Sequence, residues 1–458
     1  MSGEWDNLNS INEDHKRKAF YMEMSNMICS TMALGLLAAT AAPASAATYY
    51  LSPTGNDNGT GTLTAPWKTF GRAQQTLAPG DRLWIRGGIY SVTGGVNRCA
   101  SRTDIVNAVT LNKSGMAGKP IQYWAYTGET PVFDFSKMKD DCRIKGFNVA
   151  ANWVSLKGLE IVGVRQNNNL NHESWGVWIK GSNNTFERLN IHHIMGTGLF
   201  LQNGANNQVI NCDSHHNYDP LTSNGAGQSG DGFGVHIAAN QPGNLLRGCR
   251  AWSNSDDGFD FINAYSPVVV ENSWAWLHGY LPGTTTSLPA GNGNGFKIGG
   301  YGARYIANAP KHTVRHSVAF LNKSAGFYAN HHPVANNFFN NTGYQNKPNF
   351  NLLGISASGA EIGLGVVRNN ISYGGLSLSH SQGADMRYNS WNQAKVLSNA
   401  EFESVAVTGW DAKRQLDGSL PALKSLHLSA GSWLIDKGGN LNLPYKGAAP
   451  DLGAFERQ

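Results

Sequence analysis

Charge is scarce in this chain: only 15% of its 458 residues are Asp, Glu, Lys or Arg. Five cysteines are too few to staple a chain of this length throughout. Beyond the first 46 residues no apolar run reaches the roughly 18 residues that a membrane span needs. No Cys/His cluster has zinc-ligand spacing, and no segment follows the EF-hand loop pattern. A disulfide scaffold, a spanning helix bundle and a zinc module are thereby set aside. What is plentiful is glycine, 54 residues of it, which suits a turn-rich β protein.

The first 46 residues read as a segment apart from the fold. Lys16-Arg17-Lys18 precede an apolar run from Met27 to Ala42, and Ala44-Ser45-Ala46 forms a small-x-small cleavage site. This is the pattern of a secretory signal peptide with an extended n-region, and translation from Met22 or Met24 would shorten that region. A secreted, extracellular protein is the expectation. Cleavage after Ala46 removes three basic and five acidic residues, so the 36 and 31 of the whole chain become 33 and 26, a net charge of +7. Such a balance is compatible with a polyanionic partner. No nucleic acid and no membrane partner is read from the sequence, and a monomer is expected. Cys29 leaves with the leader. Cys212 and Cys249 hold similar strand positions and read as stacked core thiols, whereas Cys99 and Cys142 could be bridged in an oxidising compartment.

The mature chain is organised by a Gly-apolar pair that recurs at Gly176-Val177, Gly198-Leu199, Gly232-Phe233, Gly258-Phe259, Gly295-Phe296 and Gly326-Phe327. The intervals between the glycines are 22, 34, 26, 37 and 31 residues. Near-repeats of this size indicate a solenoid whose longer coils carry loops. Short β-rich runs bounded by Asn or Gly fill residues 151–392, and asparagine suits sharp corners because it tolerates left-handed φ. Residues 47–150 read as an N-terminal cap and first coils, with one short helix over Trp67–Leu77 covering the open end. Residues 393–458, where the repeat fades, read as C-terminal coils and a cap over the last coil. The fold class is therefore all-β, a parallel β-helix. Two insertions, residues 213–230 and 277–293, precede the site columns and are expected to wall a groove.

Aligned on the glycines, Asp231 shares a column with Asp257, and Lys297 shares one with Asp260. Successive coils lie about 4.8 Å apart, so Asp231, Asp256, Asp257, Asp260 and Lys297 should meet in one patch. Four clustered carboxylates need a compensating cation, and hard oxygen ligands favour Ca²⁺. An ordinary Asx turn explains Asp256-Asp257-Gly258 taken alone; the in-column Asp231 and the added Asp260 favour metal. A lysine beside acids is usually a salt-bridge partner. Lys297 becomes a general base only if its pKa is lowered; a nearby cation acts that way, the aspartates act the other way, and the balance stays open at this point. Arg304 suits carboxylate binding, and Trp178, Tyr328 and Trp175 are outward aromatics that suit a carbohydrate. His215-His216 lie outside the aligned motif and read as structural.

These residues resemble polysaccharide lyase family nine, the pectate lyases with a right-handed parallel β-helix. The likeness rests on Asp231, Asp256-Asp257-Gly-Phe-Asp260 and Gly-Phe-Lys297 on an Asn-cornered repeat. It extends to the opening Tyr50-Leu51-Ser52-Pro53-x-Gly55-x-Asp57 and the closing Asp451-Leu-Gly-Ala-Phe-Glu456. The resemblance implies Ca²⁺ at Asp231, Asp256, Asp257 and Asp260, with Lys297 as Brønsted base acting on polygalacturonate or another uronate polymer. An inverting glycoside hydrolase or a non-catalytic carbohydrate-binding solenoid would use the same scaffold differently.

Overall fold

The computed structural model describes residues 46–168, 171–223 and 225–457. The expected leader, residues 1–46, lies almost wholly outside the described residues. Runs of a few residues that alternate inward apolar with outward polar side chains form short strands. Asparagine or glycine in the left-handed region turns the chain between them, as at Asn183, Asn206 and Asn369 with φ of 60°, 58° and 58°. The strands stack into three parallel sheets of 12, 10 and 10 members, each strand pairing with its equivalents on the coils before and after. This is a parallel β-helix. The first sheet runs from Thr48–Leu51 to Asp385–Arg387 and the second from Gly88–Ser91 to Ile371–Tyr373. The third runs from Ile105–Leu111 to Leu378–Ser379 and carries the site. The solenoid therefore opens with Thr48–Leu51, which pairs with Arg82–Ile85 on the next rung.

Two kinds of column hold the coils in register. Phe233, Phe259, Phe296, Phe327 and Phe350 point inward and stack, with ring centroids 4.9, 4.7, 5.1 and 4.8 Å apart. At the corners, buried side chains accept the backbone N–H of the neighbouring coil. Asn207 accepts from Asn184 at 3.1 Å, and Asn244 from Asn207 at 3.0 Å. Elsewhere His278 accepts from Asn254, and Asn322 from His278. Each bond satisfies a donor that burial would otherwise strand. Cys212 and Cys249 are buried free thiols on the same wall, and Cys99 and Cys142 form a disulfide.

The capping helix spans Phe70–Thr76, shorter than the expected Trp67–Leu77. Thr69 is its N-cap, its hydroxyl accepting from Arg72 N–H, and this fixes the start. Trp67 instead bridges to Leu51, and it is buried together with Phe70, Ala73 and Leu77 against the first coils. Beyond residue 392 the chain packs on the last coils through Phe402 and Leu434 against Ile371. It also runs back along the outer face of the second sheet, well past the last coil that sequence reading has it cover. That face presents a column of rings, including Trp252, Trp276, Phe320 and Tyr344. Trp410, Leu426 and Ala454 cover it. Arg250 donates to the Trp410 and Ala412 carbonyls at 2.9 and 2.7 Å, and with Arg414 it clamps Asp213. Among the described residues no helix is long and apolar enough to cross a membrane.

Candidate active site

The third sheet brings the predicted residues together. Gly234, Asp260, Lys297 and Tyr328 follow one another in register on Phe233–Val235, Phe259–Asp260, Phe296–Lys297 and Phe327–Tyr328. Phe233 pairs with Phe259, which places Asp231 and Asp257 two residues upstream on adjacent rungs. Asp231 Oδ1 accepts Asp257 N–H at 3.1 Å, and Asp257 Oδ1 accepts Asn294 N–H at 2.7 Å. The column of aspartates is thus also a corner ladder.

Asp231, Asp256 and Asp257 are buried and each brings a carboxylate oxygen within 4.8 Å of the others. Among the described residues this is the single group of three or more such side chains placed to hold a metal ion. Asp256 is oriented by Asn292 N–H at 2.5 Å. Asp260 stands beside this trio rather than in it: its Oδ1 accepts Ile262 N–H at 2.8 Å and its Oδ2 lies 3.0 Å from Lys297 Nζ. Lys297 Nζ is also 3.0 Å from Asp257 Oδ2, a buried oxygen with no other partner.

Burial raises the pKa of Asp231, and the Asp260 and Asp257 carboxylates add to the rise. Burial likewise raises Asp256, followed by the charges of Asp257 and Asp231. Asp257 is raised by burial, against which Lys297 pulls. For Lys297, burial works downward, but Asp257, Asp260, Asp256 and Asp231 together outweigh it and hold the ammonium well above its ordinary value. Three buried carboxylates whose charged forms are this disfavoured, one with an oxygen partnered by Lys297 alone, suit a hard divalent cation by charge and by donor chemistry.

A groove of about 500 Å³ runs along the sheet from this patch. Lys297, Asp231, Asp256 and Asp260 line one end, and Arg143, Glu173, Trp175 and Trp178 the other, with Phe200 and His236 between. The expected walls are present: Gln228 and Ser229 from one insertion, Asn292 from the other. The first insertion begins later than residue 213, because Asp213–His215 is a regular strand of the second sheet. Trp178 lies in the groove and Tyr328 one rung beyond Lys297. Arg304 sits in an exposed turn, its Nε on the Tyr301 carbonyl at 3.1 Å, outside the groove lining. His215 ends a strand of the second sheet, where it stacks on Trp252 at 4.0 Å, and His216 follows it at the corner with φ of 53°.

Sequence reading missed Arg143, Lys145, Glu173, Phe200 and His236. Lys145-Gly146-Phe147 repeats the organising pair 30 residues before Gly176, and that signal would have added its coil. His236 has no such signal. It is one residue past a strand end, with its ring 4.7 Å from Phe200 and a buried, unpartnered Nε2.

A parallel β-helix with a cluster of buried aspartates, a lysine and an aromatic-lined groove on one sheet defines a solenoid enzyme built to take an extended polymer. The chain belongs to the Pel9A-like right-handed β-helix family, whose model matches residues 49–370. It is 37% identical over 416 residues to pectate lyase L of Dickeya chrysanthemi, covering 89% of this chain and 90% of that one. It is 30% identical over 383 residues to pectate lyase L of Paenibacillus polymyxa (strain SC2), covering 79% and 77%. The crystal structure of pectate lyase Pel9A superposes with a TM-score of 0.76 at 35% identity, over 90% of this chain and 97% of that one. A rhamnogalacturonan lyase structure gives 0.76 at 33% identity, over 84% and 96%. The chain is a polysaccharide lyase.

Proposed function

We propose that this lyase is secreted, depends on Ca²⁺, and cuts polygalacturonate by β-elimination with Lys297 as the base. The observation that carries the reading is the placement of Lys297 Nζ 3.0 Å from both Asp257 and Asp260, against a trio of carboxylates. The names of the similar pectate lyases support the substrate, and the Cys99–Cys142 disulfide supports an oxidising compartment.

In a uronate polymer the C5 proton is α to the C6 carboxylate. A divalent cation held by Asp231, Asp256 and Asp257, with Asp260 alongside, would supply charge stabilisation to that carboxylate as the proton leaves. Lys297 can accept a proton only when the surrounding carboxylates are neutralised, because otherwise they hold it as ammonium. Asp260, accepting from Nζ at 3.0 Å, restrains the position of the amine. The proton passes to Nζ, the electrons of the C5–H bond form the C4–C5 double bond of the new non-reducing end, and the C4–O bond breaks, its oxygen staying on the other fragment and taking a proton from water to become the reducing-end hydroxyl. Trp178 and Phe200, 4.8 Å apart, present ring surface for sugars further along the groove.

The test is ultraviolet absorbance of the unsaturated uronate during incubation with Ca²⁺ and either polygalacturonate or rhamnogalacturonan. A rise on polygalacturonate supports the proposal. Reducing ends without absorbance would mean hydrolysis, and a rise on rhamnogalacturonan alone would move the substrate to that polymer.

A further inference from the structure

Behind the groove's far end, against the ring of Trp178 that lines it, stands a lysine without a counter-charge. Lys145, on Arg143–Val149, is 7% exposed, and its Nζ sits 4.0 Å from the centroid of the Trp178 ring. Its charged neighbours are Arg143 and Lys180; no carboxylate among the described residues offsets it. The adjacent acid, Glu173, is engaged by Arg143. Burial, and then the two cations, push Lys145 down to about 8. Buried charges are normally paired, and a ring face compensates only part of what water supplied.

Its position in the register is what gives this charge a use. Lys145 pairs with Trp175, Trp175 with Thr197, and the same column leads on to Asp231 and Asp257. Five strand steps separate its strand from that of Lys297, about 24 Å along the solenoid axis. One end of the groove is thus acidic and suited to a cation, and the other is basic and aromatic.

We infer that Lys145, backed by Trp178, is a distal subsite that takes a carboxylate of the uronate polymer several sugars from the bond being cut. The inference rests on the uronate reading above and adds what that reading lacks, a reason for the chain to prefer long acidic substrates. A uronate carboxylate would supply the missing counter-charge beside Trp178, in a place already desolvated. A neutral sugar at the same position would leave the lysine uncompensated.

The experiment compares trigalacturonate, too short to reach from Lys297 to Lys145, with octagalacturonate, in the wild type, Lys145→Met and Lys145→Arg. The ratio of kcat/KM for the octamer over the trimer should fall roughly tenfold to hundredfold in Lys145→Met, mainly through KM. Lys145→Arg should recover most of the ratio. Because an uncompensated buried charge is removed, Lys145→Met should keep or raise Tm. An unchanged ratio overturns the inference, as does a lower Tm with an equal loss on both lengths. Calorimetric titration of octagalacturonate separates this from the activity itself. If the wild type makes no unsaturated product, the lyase chemistry on polygalacturonate has failed. Weaker octamer binding by Lys145→Met would still support the subsite, and equal binding would overturn it.

Discussion

Replacing Lys297 with methionine tests whether that lysine is the counter-charge that lets the aspartates be buried when no cation is bound. The side chain is buried, with Nζ 3.0 Å from a carboxylate oxygen of both Asp257 and Asp260. Removing one partner of a buried pair costs about 3–5 kcal/mol, because the remaining charge is left uncompensated. Methionine is close in volume, so a cavity adds little. With chelator at neutral pH, Lys297→Met should therefore be about 3–5 kcal/mol less stable than the wild type. In saturating Ca²⁺ the deficit should shrink sharply, since a cation bound only by the folded chain compensates the same carboxylates. The assay is equilibrium urea unfolding followed by tryptophan fluorescence. Midpoints are compared directly, because a long repeat can depart from two-state behaviour. A deficit of the same size with and without Ca²⁺, or none in chelator, would refute the reasoning.

Other outcomes follow from the same geometry. Lys297→Arg keeps the charge but cannot accept a proton, so kcat should drop by roughly 10²–10⁴ while the calcium titration changes little; near-normal turnover would remove Lys297 as the base. Asp257→Asn keeps an acceptor for Asn294 N–H and Nδ2 and should fold normally yet lose calcium affinity by direct titration. Asp257→Ala strands both buried donors and should cost a further 1–3 kcal/mol or so in urea. For pH, the sign comes from the raised values of Asp231, Asp256 and Asp257. Their contribution to the cation-free fold is present below the unfolded value of about 3.9 and is lost as pH rises through the folded values. Lys297, also raised, loses its contribution only well above 10.5. Buried histidines such as His215 and His216, lowered to about 2 and about 4, act oppositely but equally with and without metal. The stabilisation by Ca²⁺, taken as the difference between midpoints, should therefore grow as pH rises above the unfolded value of about 3.9 and through the raised values of these carboxylates; a flat difference would contradict it.

The site was legible because the solenoid turns sequence intervals into stacking. Once the Gly-apolar pairs are aligned, the register of Asp260 with Lys297 and of Asp231 with Asp257 follows, whatever loops lie between. The asparagine corners were legible for the same reason. The returning C-terminal segment was not, since it has no repeat and its partner surface, the ring column through Trp252 and Trp276, looks from sequence like exposed aromatics. Lys145 is not marked in the sequence because it stands itself in the position before the glycine where the site coils carry Asp231 and Asp257. Arg304, chosen for its chemistry alone, shares no column with the motif and falls outside the groove.

Why the aspartates sit in a corner column explains how so unfavourable a cluster is held. Elsewhere such positions are filled by asparagine with both side-chain atoms committed. Asn294, the next rung, accepts from Ala325 N–H at 3.2 Å and donates to Asp257 Oδ1 at 2.8 Å. An aspartate in that column spends one oxygen on the ladder and keeps the other for the groove. Asp257 does so, with Oδ1 on Asn294 and Oδ2 toward Lys297. The ladder is made of backbone N–H groups already fixed by the coils, so it orients the carboxylate without a further ordering cost. Electrostatic repulsion that would scatter four carboxylates on a mobile loop is thus opposed by the hydrogen bonds that hold the solenoid in register. A cation or a lysine needs only to balance the charge, because the scaffold has already set the positions.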